Sequence, residues 1–224
     1  MWVKICGITT MKAALAAYEA GADAVGFVFA ESRRQVTADR AQSLIMGLPA
    51  DIAKVGVFVD EEPGAVNAIA RYAGLTHVQL HGDEPPEVLG QIELPVIKAF
   101  RVRSAEDLRK LPAYAGAAAG LLLDPFVEGQ AGGTGKQLDL SLFAEAKQVL
   151  AEAGVELSGP KEPLSPGRPK LILAGGLHPG NVVQAIRASV PGGVDVSSGV
   201  ETDGNKDLQK IYDFTDLAKE AFDL

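Results

Sequence analysis

Two ionisable side chains of this chain stand where apolar runs stop. Cys6 closes Trp2-Val3-Lys4-Ile5-Cys6 ahead of Gly7, and Asp124 closes Gly120-Leu121-Leu122-Leu123-Asp124 ahead of Pro125. A thiol and a carboxylate brought together can act as a proton-transfer pair. A barrel of parallel strands would bring them together, because the carboxyl ends of its strands converge on one face. Each residue also has a plainer reading. A lone cysteine in an apolar strand is most often a small core hydrophobe, and an aspartate before proline suits an Asx turn. To act as a base, Cys6 must ionise, so positive charge or helix N-termini must lower its ordinary thiol pKa of about 8.5.

Other residues at run ends add binding chemistry. Gly175-Gly176 follows Leu173-Ala174, and Ser197-Ser198-Gly199 follows Val196. Glycine lets the backbone approach an anion closely with its N–H groups. Phosphate sites of (β/α)8 barrels lie in the loops after strands seven and eight. Gly175, Gly176, Ser197, Ser198 and Gly199 are therefore candidate phosphate-binding residues, although tight turns alone would also use such glycines. A third turn, Gly129–Gly135, has the composition of a mobile cover, a further phosphate donor or a plain flexible loop. Arg34 could fork onto a substrate carboxylate, or be a solvated surface arginine. His81 also ends a run and reads as structural or secondary.

Strand alternation adds one expectation. If Cys6 faces the barrel interior, so does Lys4, and Asp195 stands likewise below Ser197. A buried lysine needs a partner, so a Lys4–Asp195 pair is predicted across the seam where strand eight meets strand one.

The elements that must position these residues are eight short runs rich in Val, Ile, Leu and Phe: residues 2–6, 24–29, 53–59, 77–81, 95–100, 120–124, 170–174 and 194–197. Helical stretches separate them. Near-continuous apolar strands alternating with helices indicate parallel β-structure covered on both faces. Eight units, with a last helix directly after strand eight, favour a single-domain (β/α)8 TIM barrel over residues 1–224 rather than a doubly wound open sheet. Thr9 or Thr10, Thr37, Ser104, and Asp139 or Ser141 are the predicted helix caps. One spacing is too long, between strands six and seven. The excess is a Pro/Gly-rich insertion at about 154–169, read as a surface loop on the face away from the βα loops.

Composition narrows the function. The 224 residues are 47% hydrophobic with 6% aromatics, and the net charge of −8 argues against nucleic acid and anionic membrane surfaces as partners. A small phosphorylated molecule stays in play, since backbone N–H groups hold phosphate with little net positive charge. A single cysteine rules out an intramolecular disulfide and suits a reducing compartment. With no leader-like or spanning segment, the expected location is the cytoplasm.

Taken in order along nearly the whole chain, the motifs resemble those of the phosphoribosylanthranilate isomerases of tryptophan biosynthesis. The pieces are Lys4-Ile5-Cys6-Gly7-Ile8-Thr9, Gly21–Phe29, Val55-Gly56-Val57-Phe58 and Val78-Gln79-Leu80-His81-Gly82. They continue through Leu121–Asp124, Gly132-Gly133-Thr134-Gly135, Leu173–Leu177, Gly192–Glu201 and Lys206-Asp207. The resemblance implies an Amadori rearrangement of an aminoaldose to an aminoketose, with no cofactor or metal. It implies Asp124 as general acid, Cys6 as general base, Arg34 on the anthranilate carboxylate, and the turns at Gly175-Gly176 and Ser197-Ser198-Gly199 on phosphate. Arg33 stands where the family often has proline, which predicts a less rigid Arg34 loop. A pentose-phosphate epimerase fits less well, because His77, His81 and His178 are the only histidines. The histidine-pathway isomerase uses an aspartate pair where this chain has Cys6. A non-catalytic phosphate-binding barrel is the remaining alternative, and turnover separates it.

Overall fold

The computed structural model describes residues 2–126 and 137–223, so the Gly129–Gly135 turn lies outside the described residues. Eight strands form the frame: β1 (Trp2–Cys6), β2 (Ala24–Val28), β3 (Ala53–Phe58), β4 (His77–Leu80), β5 (Val96–Val102), β6 (Gly120–Pro125), β7 (Lys170–Leu173) and β8 (Gly193–Val196). All neighbours run parallel, and β8 pairs back onto β1, which closes the barrel. The helices between and after them are α1 (Met11–Glu19), α2 (Ala38–Ile45), α3 (Pro63–Ala73), α4 (Pro86–Leu89), α5 (Ala105–Leu108), α6 (Pro112–Ala115), α7 (Leu140–Glu152), α8 (Val182–Ser189) and α9 (Leu208–Asp223).

Strand alternation sorts the apolar residues into two sets. Val3, Ile5, Leu121, Leu123, Val194 and Val196 point outward and join the helices in one large core. Trp2, Ala24, Val55, Ile97, Ala99, Leu122 and Ile172 point inward and fill the lower barrel. Because side chains alternate faces, the inward set of β1 continues through Lys4 and Cys6, and that of β6 ends on Asp124.

The caps follow the sequence. Thr10 accepts from the Ala13 N–H at 3.3 Å and Thr37 from Arg40 at 3.1 Å. Asp139 accepts from Ser141 at 2.9 Å, and the Ser104 N–H donates to Asp107 at 3.3 Å.

Three features depart from the sequence reading. Strand β5 runs past Phe100 to Val102, because its register with β6 carries on through Arg101↔Asp124 and Val102↔Pro125. After β8 the chain makes a 3₁₀ turn (Ser198–Val200) and then an antiparallel hairpin, β9 (Glu201–Thr202) and β10 (Asn205–Lys206). The insertion before β7 holds no helix or strand and is largely exposed, yet it is more than a surface loop. Its Leu164 packs against the inner apolar set, and Gly159 O accepts from the buried Lys170 Nζ at 2.5 Å. The insertion thus closes the amino-terminal end of the barrel, opposite the βα loops.

Candidate active site

The site begins on β1. Lys4 is fully buried, and its Nζ donates to Asp195 Oδ1 at 2.7 Å and to Gln79 Oε1 at 2.9 Å. The register sets Lys4 beside Asp195 on β8, so the predicted seam pair is present. Burial opposes the charge on Lys4, but Asp195 and then Cys6 outweigh it and hold the ammonium above the usual lysine range.

Cys6 sits two residues above, with Gly26 of β2 beside it in register. A Cβ on Gly26 would lie 2.8 Å from the Cys6 sulfur and 3.0 Å from Lys4 Cε. Only glycine leaves room for both side chains. The thiol does not show the lowered pKa that a resting thiolate needs. Burial pushes it up, Lys4 pulls against that, Asp195 adds to the rise and Lys206 opposes it, with a net shift upward. Desolvation of the anion outweighs the cations beside it.

Asp124 ends β6 facing inward and is 6% exposed. The loop after β7 passes close to it. Gly175 has φ +86°, and a Cβ there would come within 2.0 Å of Pro125 Cδ and 3.1 Å of Asp124 Oδ1. Glycine is therefore required on both conformational and steric grounds. His81, just past β4, brings its Nε2 to 3.6 Å from Asp124 Oδ2.

The binding candidates surround the same hollow, a cavity of about 590 Å³ at the carboxyl ends of the strands. Cys6, Arg34, Asp124, Gly175, Gly176, Ser197 and Ser198 all line it. That volume lies within the range for small-molecule sites. Gly176, like Gly175, has positive φ (+60°), and consecutive turn residues of this kind can direct N–H groups at an anion. Gly199 has a different position: a Cβ there would meet Leu177 O at 1.8 Å. Its lack of a side chain lets the loops after β7 and β8 touch.

Arg34 is 9% exposed rather than solvated. Its Nε donates to Glu201 Oε1 at 2.7 Å and its Nη2 to Oε2 at 3.0 Å, which leaves the Nη1 edge outside that fork. Arg33 Nη2 reaches the same carboxylate at 2.7 Å, and Lys206 Nζ reaches it at 2.9 Å. This pairing joins the Arg34 loop to the β9–β10 hairpin. Burial opposes the charge on Glu201, but Arg34 and Lys206 hold its carboxyl below the usual range. Lys206 also donates to Ser197 O at 2.8 Å, and Ser197 Oγ donates to Cys6 O at 3.1 Å.

Glu201, Lys206 and Gln79 were not singled out as site residues from the sequence. A signal for the first two existed in Asp203-Gly204, which have φ +51° and +80°. Asp-Gly with both residues at positive φ marks a type I′ hairpin, and that turn sets Glu201 opposite Lys206.

The chain as a whole resembles known proteins. A relative from Symbiobacterium thermophilum, an N-(5'-phosphoribosyl)anthranilate isomerase, is 62% identical over 219 residues, 98% of each chain. One from Desulforudis audaxviator, of the same name, is 46% identical over 224 residues and again covers 98% of each. The sequence profile of N-(5'phosphoribosyl)anthranilate (PRA) isomerase matches residues 3–217. The chain belongs to the phosphoribosylanthranilate isomerase family.

Solved phosphoribosylanthranilate isomerases agree in fold. The Thermotoga maritima structure superposes with a TM-score of 0.83 at 38% identity, covering 98% of this chain and 99% of that one. Another, solved in complex with reduced 1-(o-carboxyphenylamino)-1-deoxyribulose 5-phosphate, gives 0.80 at 38% identity with the same coverage. Among the described residues, no helix is long and apolar enough to cross a membrane.

Proposed function

We propose that Asp124 and Cys6 act as acid and base in the isomerisation of N-(5-phosphoribosyl)anthranilate to 1-(2-carboxyphenylamino)-1-deoxyribulose 5-phosphate, the Amadori step of tryptophan biosynthesis. The observation that carries this reading is that Cys6 on β1 and Asp124 on β6 line one cavity with Arg34. Asp124 gives its proton to the furanose ring oxygen, and the C1′–O bond breaks to leave a Schiff base. Cys6, as thiolate, then removes the C2′ proton. The electron pair of that C–H bond moves into the enolamine, which tautomerises to the ketone. One proton enters at oxygen and one leaves from carbon, so the reaction needs no redox partner.

The two ends of the substrate are anions, and the site offers a fitting group to each. Arg34 presents a guanidinium held by Glu201, suited to the anthranilate carboxylate. The turns at Gly175-Gly176 and Ser197-Ser198 would take the phosphate, with Gly199 letting the two turns meet. The ligand in the solved relative carries both a carboxyphenyl group and a phosphate, which supports this division. The whole chain serves as one barrel, with the 154–169 insertion standing apart from the chemistry. The lone thiol suits the reducing cytoplasm. Turnover tests the reading directly. Purified protein, with no cofactor or metal added, should consume the fluorescence of freshly generated phosphoribosylanthranilate, and a folded protein that leaves it unchanged would overturn it.

A further inference from the structure

Gln79 is 1% exposed and lies between the two halves of the site. Its Oε1 accepts from Lys4 Nζ at 2.9 Å, and its Nε2 lies 3.2 Å from His81 Nδ1. These contacts fix a direction. An ammonium can only donate, so the amide oxygen must face Lys4 and the amide nitrogen must face His81. An amide N–H₂ likewise can only donate, so His81 Nδ1 must be the unprotonated nitrogen of the neutral ring. The ring proton then resides on Nε2. That atom is buried, has no hydrogen-bond partner among the described residues, and stands 3.6 Å from Asp124 Oδ2.

We propose that Gln79 is a positioning residue that, held by Lys4, sets the tautomer of His81 so that its Nε2–H points at Asp124. The proposal rests on Asp124 being the acid. Once Asp124 has passed its proton to the ring oxygen it is a carboxylate, and a donor aimed at it stabilises that charged form. A separation of 3.6 Å is longer than a hydrogen bond, and the proposal has it shorten as Asp124 becomes a carboxylate. One buried ammonium thereby serves both halves of the chemistry. It lies beside the Cys6 thiol, and through Gln79 it fixes the imidazole beside the acid. A leucine or methionine at position 79 would fill the same space but leave the tautomer unset.

The test reads the tautomer itself. Long-range proton–nitrogen correlation spectra of ¹⁵N-labelled protein, without substrate, distinguish protonated from unprotonated ring nitrogens. Loss of one signal set in His81→Asn assigns His81 among the three histidines. The wild type should show His81 protonated at Nε2, and finding the proton on Nδ1 instead would overturn the proposal. Gln79→Glu keeps an acceptor for Lys4 but turns a carboxylate toward Nδ1, so the proton should move to Nδ1. Its kcat should fall by as much as roughly 10²-fold, the scale of a misplaced catalytic contact, with KM little changed. An unmoved tautomer in folded Gln79→Glu, or a reversed tautomer with undiminished kcat, would also sink it. The spectra need no turnover, so failure here is separable from failure of the isomerase assignment.

Discussion

The Cys6 thiol answers to both the Lys4 ammonium and the Asp195 carboxylate, which act on it in opposite directions, and burial decides the balance. The reacting groups are few and their roles separable. Cys6→Ser keeps size but puts a hydroxyl where an ionisable thiol is needed, and Asp124→Asn keeps shape but has no acidic proton. Each should lower kcat by about 10²–10⁴-fold, the usual worth of positioned proton transfer. Affinity for a product-like anion and the thermal midpoint should hold. Near-normal turnover in folded Cys6→Ser would return Cys6 to the core. The pH profile supplies a second check. A base works when deprotonated, so kcat/KM should climb with pH, and the climb should centre above the ordinary thiol range because the Cys6 pKa is raised. Thiolate absorbance in substrate-free protein measures the same ionisation when taken as the difference from Cys6→Ser, so that the four tyrosines cancel. A midpoint below the ordinary range in both measurements would mean that the cations at Lys4 and Lys206 outweigh burial.

At the scale of elements, the strands were legible because their burial on both faces writes them as unbroken apolar runs. Cys6 and Asp124 stood out for the same reason, as ionisable residues that end such runs. What was not legible depended on contacts distant in sequence. Arg101 is charged, so β5 read as ending at Phe100, but pairing with β6 carries the strand through it. The insertion read as loop from its prolines, while the packing of Leu164 into the barrel end has no local signature. Glu201 read only as the end of a motif, although the β9–β10 hairpin aims it at Arg34. That hairpin yields a prediction. Glu201→Gln removes the charge that holds the Arg34 fork, so KM should rise several-fold while kcat changes less. An unaltered KM would show that Arg34 is held by its loop alone. Acid should act in the same direction. The Glu201 pKa is lowered in the folded protein, so the stability it contributes is complete above the ordinary glutamate range and lost as pH falls through its lowered value. In Glu201→Gln, that part of the acid-induced loss of thermal stability should disappear.

The whole molecule is a closed sheet, and closure makes the β1–β8 seam the place where the first and last strands must agree in register. Apolar residues alone would tolerate a poorly fixed seam, whereas Lys4 and Asp195 meet at 2.7 Å only in the observed register. The pair was foreseeable from alternation plus the rule that a buried lysine needs a partner. Its link onward to Gln79 was not, since that contact crosses the barrel interior. Removing one member should be costly, because it strands the other charge without water. Lys4→Met should destabilise the fold by about 3–5 kcal/mol. For a chain of this size that corresponds to a midpoint lower by roughly 6–20 °C. Lys4→Met with Asp195→Leu removes both charges and should recover much of the loss, since apolar replacements of buried pairs are often neutral or better. Recovery should stop short of complete, because Gln79 Oε1 loses its donor at a cost of about 1–3 kcal/mol. Calorimetry on the single and double variants reads both steps. A double variant no more stable than Lys4→Met would mean that the loss comes from packing around the lysine stem, and that the seam does not depend on this ion pair.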